Sequence, residues 1–370
     1  MTGLVLIAAG GTGGHLFPAE ALAGALAGRG WRVHLVTDRR AETYGRDFPA
    51  EETHFVRSAT LTRSPISAAS GLIQLARGFF EARRLVRRLA PDVAVGFGGY
   101  PTAPPMLAAA LAGVPTVIHE QNAVLGRANR FLASRVDRIA VSVPGVGRPT
   151  PRRVVTGNPV RAAVREAARI GYPVRHDGDP FRLLAFGGSQ GARFLSDVVP
   201  EAVARLGKPM LSQLSVKQQC RPEDLGRVTG AYRATGLAAD VRPFFADLPR
   251  CMADSHLVIC RSGASTCAEL TVIGRPAIMV PLPGALDQDQ KANAEVLARA
   301  GGGWMIEQAA LTADRLAADI ATAMGEPDRL AKAAAAARSL ARPDAAERLA
   351  DVVEQVAARR TDHAHQGVLA

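Results

Sequence analysis

Gly10-Gly11-Thr12-Gly13-Gly14-His15 is the stretch whose reading decides the fold. An apolar run, Leu4 to Ala9, precedes it and reads as a buried strand. Phe17-Pro18-Ala19-Glu20-Ala21-Leu22 follows and opens a helix. A strand, a glycine turn and a helix start leave backbone N–H groups and the positive end of a helix dipole facing outward. That geometry suits phosphate or another anion. His15 stands at the lip of the turn, so an ionisable group meets an anion-binding backbone.

The pattern recurs half a chain later. Phe181 to Phe186 is again a short apolar strand, followed by Gly187-Gly188-Ser189-Gln190-Gly191-Ala192-Arg193 and a helix through about Leu206. Thr12 and Ser189 hold equivalent places in the two turns. The echo predicts two similar α/β domains facing each other.

A chain of 370 residues, 48% apolar and 5% aromatic, is long enough for two full cores. Cys220, Cys251, Cys260 and Cys267 form no CxxC pair and match no zinc spacing, so they read as reduced, mostly buried thiols of a cytosolic protein. No signal peptide is expected, because the N-terminus runs straight into a strand. The uncharged stretch between Asp92 and His119 is broken by Pro101, Pro104, Pro105, Pro115 and the Gly96–Gly99 cluster, which argues against a membrane span. The net charge of +11 is uneven: residues 1–160 carry 19 Arg, no Lys and 10 acidic residues, and residues 161–370 are close to balanced. A basic first half suits nucleic acid, anionic lipid or an anionic substrate, or a surface kept soluble by arginine.

Trp31 to Thr37 reads as a second strand ending at Asp38, where a dinucleotide-binding domain would place its ribose acid. The fingerprint fails, since the third glycine should stand at position 16, which is Leu16. In Leu61 to Ala90, Leu72, Leu75, Phe79, Ala82, Val86 and Leu89 recur at helical spacing, with Arg77, Arg84 and Arg88 on another face and Arg83 and Arg87 beside it. The stripe packs a helix on a sheet. The preceding loop, Leu61 to Ile66, together with the arginine edge suits an anionic membrane surface.

Val93 to Val95 is a strand ending in a second glycine loop, Gly96 to Pro101. Pro115 to Ile118 is another, ending in His119-Glu120-Gln121-Asn122, where structural pairing and ligand contact by Asn122 both fit. Pro144 to Pro159 reads as a linker closing the first domain. In the second, Leu257 to Cys260 leads into Arg261-Ser262-Gly263-Ala264-Ser265-Thr266, a small-residue turn suited to a diphosphate, with a helix from Cys267 onward. Glu269 either takes both hydroxyls of a ribose or compensates the helix dipole. Ala277 to Val280 precedes Asp287-Gln288-Asp289-Gln290 and Asn293-Ala294, amides and carboxylates suited to sugar hydroxyls. An amphipathic helix from about Pro343 to Ala358 is expected to pack back on the first domain, with a frayed tail after Arg360.

Together these stretches resemble the MurG family of glycosyltransferases, which make lipid II at the cytoplasmic face of bacterial membranes. The resemblance rests on GGTGGH at 10–15, GGYP at 98–101, HEQN at 119–122, GNPVR at 157–161, GGSQGAR at 187–193, RSGA at 261–264 with Glu269, and Gln290 with Asn293-Ala294. It implies an α/β protein of GT-B fold, with two Rossmann-like domains on either side of a cleft. Residues 1–160 would face acceptor and membrane, and residues 161–335 would hold the donor. The implied reaction is inverting transfer of N-acetylglucosamine from its UDP donor to undecaprenyl-pyrophosphoryl-N-acetylmuramyl-pentapeptide (lipid I).

In that reading the Ala264–Thr266 turn, with Ser265, joins Ser189 and Arg161 in stabilising the departing diphosphate, with no metal and no cofactor. The resemblance further implies that Glu269 holds the ribose, the backbone near Phe245 the uracil and Gln290 the sugar hydroxyls, with Asn122 touching the donor. Thr12, Gly13 and Gly14 would shape the pocket. His15 is the candidate general base, since imidazole titrates near neutrality, or it orients the acceptor. Glu120 is the second candidate, and His119 supports the loop. The implied partners are the two substrates, the anionic inner-membrane surface and other cell-wall synthesis proteins, without nucleic acid. Two features depart from the family: Gln213 to Cys220 lacks its usual glycines, and Asp289 stands where His or Gln is common. Another UDP-sugar enzyme of the same fold, such as an epimerase, or a nucleotide-binding membrane scaffold would share the glycine turns.

Overall fold

Leu4–Ala8 is apolar at every position, the pattern of a strand covered on both faces, and it forms β1, an interior strand of the first sheet. In the computed structural model the described residues are 3–10, 12–38, 48–58, 65–176, 178–188, 191–285 and 287–366. Gly11, Leu61 to Ser64 of the basic loop, the Leu72 side chain and Ser189 lie outside them.

The chain divides into two units, residues 1–161 with 343–370, and residues 162–342. In the first, β1 is followed by α1 (Gly13–Gly28), β2 (Arg32–Thr37), β3 (Glu52–Phe55), α2 (Pro65–Leu89), β4 (Val93–Gly96), α3 (Ala103–Leu111), β5 (Thr116–Glu120), α4 (Arg127–Leu132), β6 (Arg138–Val141) and β7 (Arg153–Val155). In the second come α5 (Ala162–Ala167), β8 (Phe181–Phe186), α6 (Arg193–Ala204), α7 (Lys208–Leu211), β9 (Leu214–Gln219), α8 (Leu225–Ala234), β10 (Asp240–Arg242), α9 (Leu248–Ala253), β11 (Leu257–Cys260), α10 (Ala264–Ile273), β12 (Ala277–Met279), α11 (Asp289–Arg299), β13 (Gly303–Met305), α12 (Ala313–Gly325) and α13 (Pro327–Ser339). The last helix, α14 (Ala345–Gln366), belongs to the first unit.

Both sheets are parallel and doubly wound, ordered β3-β2-β1-β4-β5-β6-β7 and β10-β9-β8-β11-β12-β13. Strand order reverses between β1 and β4 and between β8 and β11, where crevices open in such sheets. Side-chain alternation splits the first core in two. Val5 and Ile7 face α1 and α14, while Leu6 and Ala8 face α2 and α3. On α14, Leu349, Ala350, Val353 and Val356 are buried in the first unit's core. Arg29 binds Asp351 and Glu354 there, and Trp31 Nε1 donates to Glu354.

Several boundaries differ from the sequence reading. The Pro- and Gly-rich stretch 144–159 contains β7, paired with β6. It is a three-residue edge strand, too short and too exposed to show an apolar run. Strand β5 continues through His119 and Glu120, both buried, because their side chains find partners inside the fold. Helix α10 begins at Ala264, not Cys267, with Gly263 in extended conformation as its cap. The last helix runs on to Gln366 instead of fraying after Arg360.

Among the buried polar groups, Arg275 donates to the carbonyls of Ile170, Gly171, Ala253, Ile273 and Gly274, and burial lowers it to about 10. It gathers the loop after α5 and the carboxyl ends of α9 and α10 around one cation. Three of the cysteines are buried and all four are free thiols; burial pushes Cys267 up to about 12 and Cys260 well above its ordinary range. Two buried histidines are held neutral. Burial lowers His119 to about 4 against a hydrogen bond to Gly157, and lowers His256 to about 4 with the help of Arg182. His256 Nδ1 accepts the Arg182 N–H at 2.9 Å, so its protonation would break that bond.

Both histidines titrate lower folded than unfolded, so the unfolded chain binds more protons between the two values and stability falls as pH drops below about 6.5. The His119 shift alone should cost the first unit about 2 kcal/mol between about pH 7.5 and pH 5. Urea denaturation across that range should show the loss, and His119→Gln should remove the His119 share and leave that of His256.

Candidate active site

The glycine turn after β1 and the loop after β4 meet around one imidazole. His15 lies in the first turn of α1, and its Nδ1 is 2.8 Å from the Phe97 carbonyl oxygen. A carbonyl only accepts, so Nδ1 carries the proton and Nε2 of the neutral ring keeps its lone pair. Glycines make the seat. A Cβ on Gly10 would come within 3.1 Å of His15 Cδ2, and one on Gly99 within 3.3 Å. Gly98 and Gly99 both have φ of +79°, which side chains rarely adopt. Thr102 fixes their loop by donating to Gly98 O at 2.6 Å.

Thr12 is the extended residue at the start of α1 and spends no side-chain hydrogen bond on capping it. The helix has no acidic residue in its first turn, so the N–H groups near Gly13 and Gly14 meet no carboxylate of their own helix. Arg161 stacks its guanidinium 4.1 Å from the centre of the Phe17 ring, on the first turns of the same helix.

The HEQN cluster completes this end of the sheet. Glu120 is buried, and its carboxylate accepts from Asn122 N (3.1 Å), Asn122 Nδ2 (3.0 Å), Gly126 N (2.9 Å) and Asn129 Nδ2 (2.9 Å). Four donors occupy both oxygens, which makes Glu120 the organiser of the loop that carries Asn122. Gln121 Nε2 donates to Phe97 O at 2.9 Å, sharing the carbonyl that holds His15. His119 donates from Nε2 to Gly157 O at 2.9 Å and ties β5 to the residues before Arg161.

In the second unit, the turn after β8 includes Gly188 at φ +82° and Gly191 at +67°, and a Cβ on Gly187 would lie 2.2 Å from the Ala192 nitrogen. Ser189 lies outside the described residues. The turn after β11 delivers Ala264, Ser265 and Thr266 as the first residues of α10. Ser262 Oγ and Ser265 Oγ are buried without a protein partner, and α10 has no acid in its first turn. Glu269 is buried and is the sixth helical residue, beyond the reach of dipole compensation at the helix start. Gln290 Oε1 accepts from Leu282 N at 3.0 Å, tying α11 to the loop after β12. Phe245 is buried beyond β10, its carbonyl accepts from Leu248 N, and Arg242 lies over its ring.

Arg261 and Asn129, which the sequence reading left without a role of their own, and Asn293, which it placed among the amides suited to sugar hydroxyls, help build these sites. Arg261, buried, donates to Val280 O and Pro281 O at 3.0 Å each and to Gln308 Oε1 at 2.6 Å. Asn293 Nδ2 donates to Ser262 O. Asn129 holds Glu120 and the His119 carbonyl. In a sequence each is an ordinary polar residue, and only its burial against carbonyls or a carboxylate marks it.

Two doubly wound sheets with glycine turns at their switch points and neutral donors at helix starts fit a glycosyltransferase of the GT-B class. The model of the glycosyltransferase family 28 N-terminal domain matches residues 5–141, and that of the C-terminal domain matches residues 182–349. The chain is 56% identical over 362 residues to a UDP-N-acetylglucosamine–N-acetylmuramyl-(pentapeptide) pyrophosphoryl-undecaprenol N-acetylglucosamine transferase of Sinorhizobium fredii, covering 97% of each chain. It is 58% identical over 361 residues to the enzyme so named from Methylobacterium nodulans, covering 96% of this chain and 97% of that one. The crystal structure of Acinetobacter baumannii MurG matches with a TM-score of 0.78 at 28% identity, over 96% of this chain and all of that one. The chain belongs to the MurG family within glycosyltransferase family 28.

Glu120→Gln replaces an oxygen that accepts hydrogen bonds with an NH2 group facing other donors. It should destabilise the first unit by about 2–3 kcal/mol in urea denaturation, while the isosteric Asp137→Asn, at the opposite strand end, leaves the Asn122 loop in place. A Glu120→Gln variant as stable as wild type would remove the organising role.

Proposed function

We propose that the protein transfers N-acetylglucosamine from UDP-N-acetylglucosamine to undecaprenyl-pyrophosphoryl-N-acetylmuramyl-pentapeptide, giving lipid II with inversion at the anomeric carbon. The observation that carries the mechanism is the His15–Phe97 hydrogen bond, which leaves His15 Nε2 as a base. The acceptor hydroxyl attacks the anomeric carbon as its proton passes to Nε2, and the bond from that carbon to the diphosphate oxygen breaks, releasing UDP. Thr12, Gly13 and Gly14 shape the place where the sugar reacts.

The donor's share falls to the second unit. Backbone N–H groups at Ala264 to Thr266, with Ser189 and the first unit's Arg161, stabilise charge on the departing diphosphate. Glu269 takes the ribose hydroxyls, the backbone at Phe245 the uracil and Gln290 the sugar hydroxyls. Asn122, held by Glu120, touches the donor from the first unit. Support comes from the buried partnerless hydroxyls of Ser262 and Ser265 and from the placement of Glu269 past the helix start.

The enzyme works as a peripheral protein on the cytoplasmic face of the inner membrane, beside other cell-wall synthesis proteins. Among the described residues no helix is long and apolar enough to cross a membrane. On α2, Ala82, Leu85 and Val86 are buried, while Ile73 (55%) and Phe80 (57%) are exposed. Helical spacing aligns Ile73 and Phe80 with Arg77, Arg84 and Arg87 in one stripe, an apolar strip within a basic rim.

UDP release from UDP-N-acetylglucosamine with a short-chain lipid I analogue should depend on acceptor and fall about 100-fold or more in His15→Ala. Release unchanged in the variant would move the base elsewhere. In sedimentation with anionic vesicles, Arg77→Glu/Arg84→Glu should reduce the bound fraction, as should high salt. Binding that ignores both would defeat the membrane assignment of α2.

A further inference from the structure

At the far edge of the first sheet lies a cluster with no part in the reaction. β2 and β3 pair in parallel register, His34 with Glu52 and Val36 with His54. Side chains alternate along each strand, so residues 34, 52 and 54 share one face. His34 and His54 are buried with relative exposures of 4% and 9%, and their rings stack with centroids 5.2 Å apart. His34 Nδ1 is 3.0 Å from His54 Nε2. The Glu52 carboxylate reaches in from the exposed strand start, 3.9 Å from His34 Nδ1 and 3.5 Å from His54 Nδ1. One ligand atom from each residue lies within 4.8 Å of the others.

We infer that His34, Glu52 and His54 bind a zinc ion that clamps edge strand β3 to β2. Two imidazole nitrogens and one carboxylate oxygen are a zinc donor set with a fourth position left for water, and imidazole favours zinc over the oxygen-seeking magnesium or calcium. Zinc–nitrogen bonds of about 2.0 Å place tetrahedral donors about 3.3 Å apart. The His34 Nδ1–His54 Nε2 and His34 Nδ1–Glu52 separations, 3.0 and 3.9 Å, bracket that value, and rotation of the exposed Glu52 side chain brings its carboxylate onto the ion those two nitrogens hold. Behind the site, Glu51 Oε2 lies 3.8 Å from His34 Nε2 and is held by Arg32 at 2.9 Å, a carboxylate placed to orient a ligating ring. Arg88 lies on the same side and opposes a cation, against the two negative charges of Glu51 and Glu52.

The clamp would act where the sheet is least supported. β3 is a four-residue edge strand with one buried position, and the chain leaving it is pinned to α2 through Arg57 N and Glu81 Oε2 at 3.1 Å. Zinc bound here stabilises the edge without touching His15 or the sugar sites.

The test uses untagged, chelator-stripped full-length protein titrated with Zn2+ alone in competition with a chromophoric chelator. Wild type should bind about one ion tightly, and Glu52→Gln and His54→Asn should each weaken that ion about tenfold or more. Zn2+ should raise the melting temperature of wild type but not of Glu52→Gln, whose exposed side chain leaves folding intact. Co2+ should give visible tetrahedral bands in wild type that both variants lose. No tight ion in wild type would overturn the proposal, and so would equal affinity in all three proteins, which would place zinc on the thiols or other histidines.

Discussion

Parallel pairing brings the carboxyl ends of all the strands in a sheet to one edge, and that constraint decides where this chain keeps its chemistry. Each strand must return by a crossover, so each functional turn sits between a strand end and a helix start, where backbone N–H groups have no helical partner. At β1 and β4 the turns are so close that glycine is needed on both sides of the His15 ring. One carbonyl, Phe97 O, then takes hydrogen bonds from both His15 and Gln121. A single backbone oxygen thereby couples the glycine turn after β1 to the polar cluster after β5.

The second unit solves the same problem with a buried cation. Arg261 has backbone carbonyls and an amide oxygen as its partners, so it joins the ends of β11 and β12 without bringing a negative charge near the α10 start. A carboxylate partner there would compete with a diphosphate for the same positive potential. The hydroxyls of Ser262 and Ser265 and the N–H groups of the first α10 turn are thus left facing an uncompensated helix end.

Much of this was legible in the residues. Apolar runs marked β8 and β11 to the residue, and the repeated glycine turns marked two α/β units. The rest was hidden for identifiable reasons. Ser265 and Thr266 read as turn residues because short hydroxyl side chains favour caps, yet Gly263 supplies the extended backbone that starts the helix earlier. His119 and Glu120 read as a strand's polar end, because a sequence does not show that Gly157, Gly126 and Asn129 satisfy them inside the fold. Glu120 was legible as ionisable but not as saturated. His34 and His54 are separated by 19 intervening residues, and only the β2–β3 register makes them neighbours.

The histidines of the first unit show why residue type alone does not assign a role. His15 and His119 both donate to a backbone carbonyl, but through opposite ring nitrogens. His119 donates from Nε2 and keeps Nδ1 in a fully buried setting, where burial holds the ring neutral and no substrate reaches it. His15 donates from Nδ1 at a half-buried helix start, so its outer nitrogen, Nε2, holds the lone pair. The same kind of hydrogen bond makes His119 a strut and leaves His15 Nε2 open for the proposed role of base. The difference follows from their elements: a residue inside β5 has its neighbours on every side, whereas the first turn of α1 ends at open glycines.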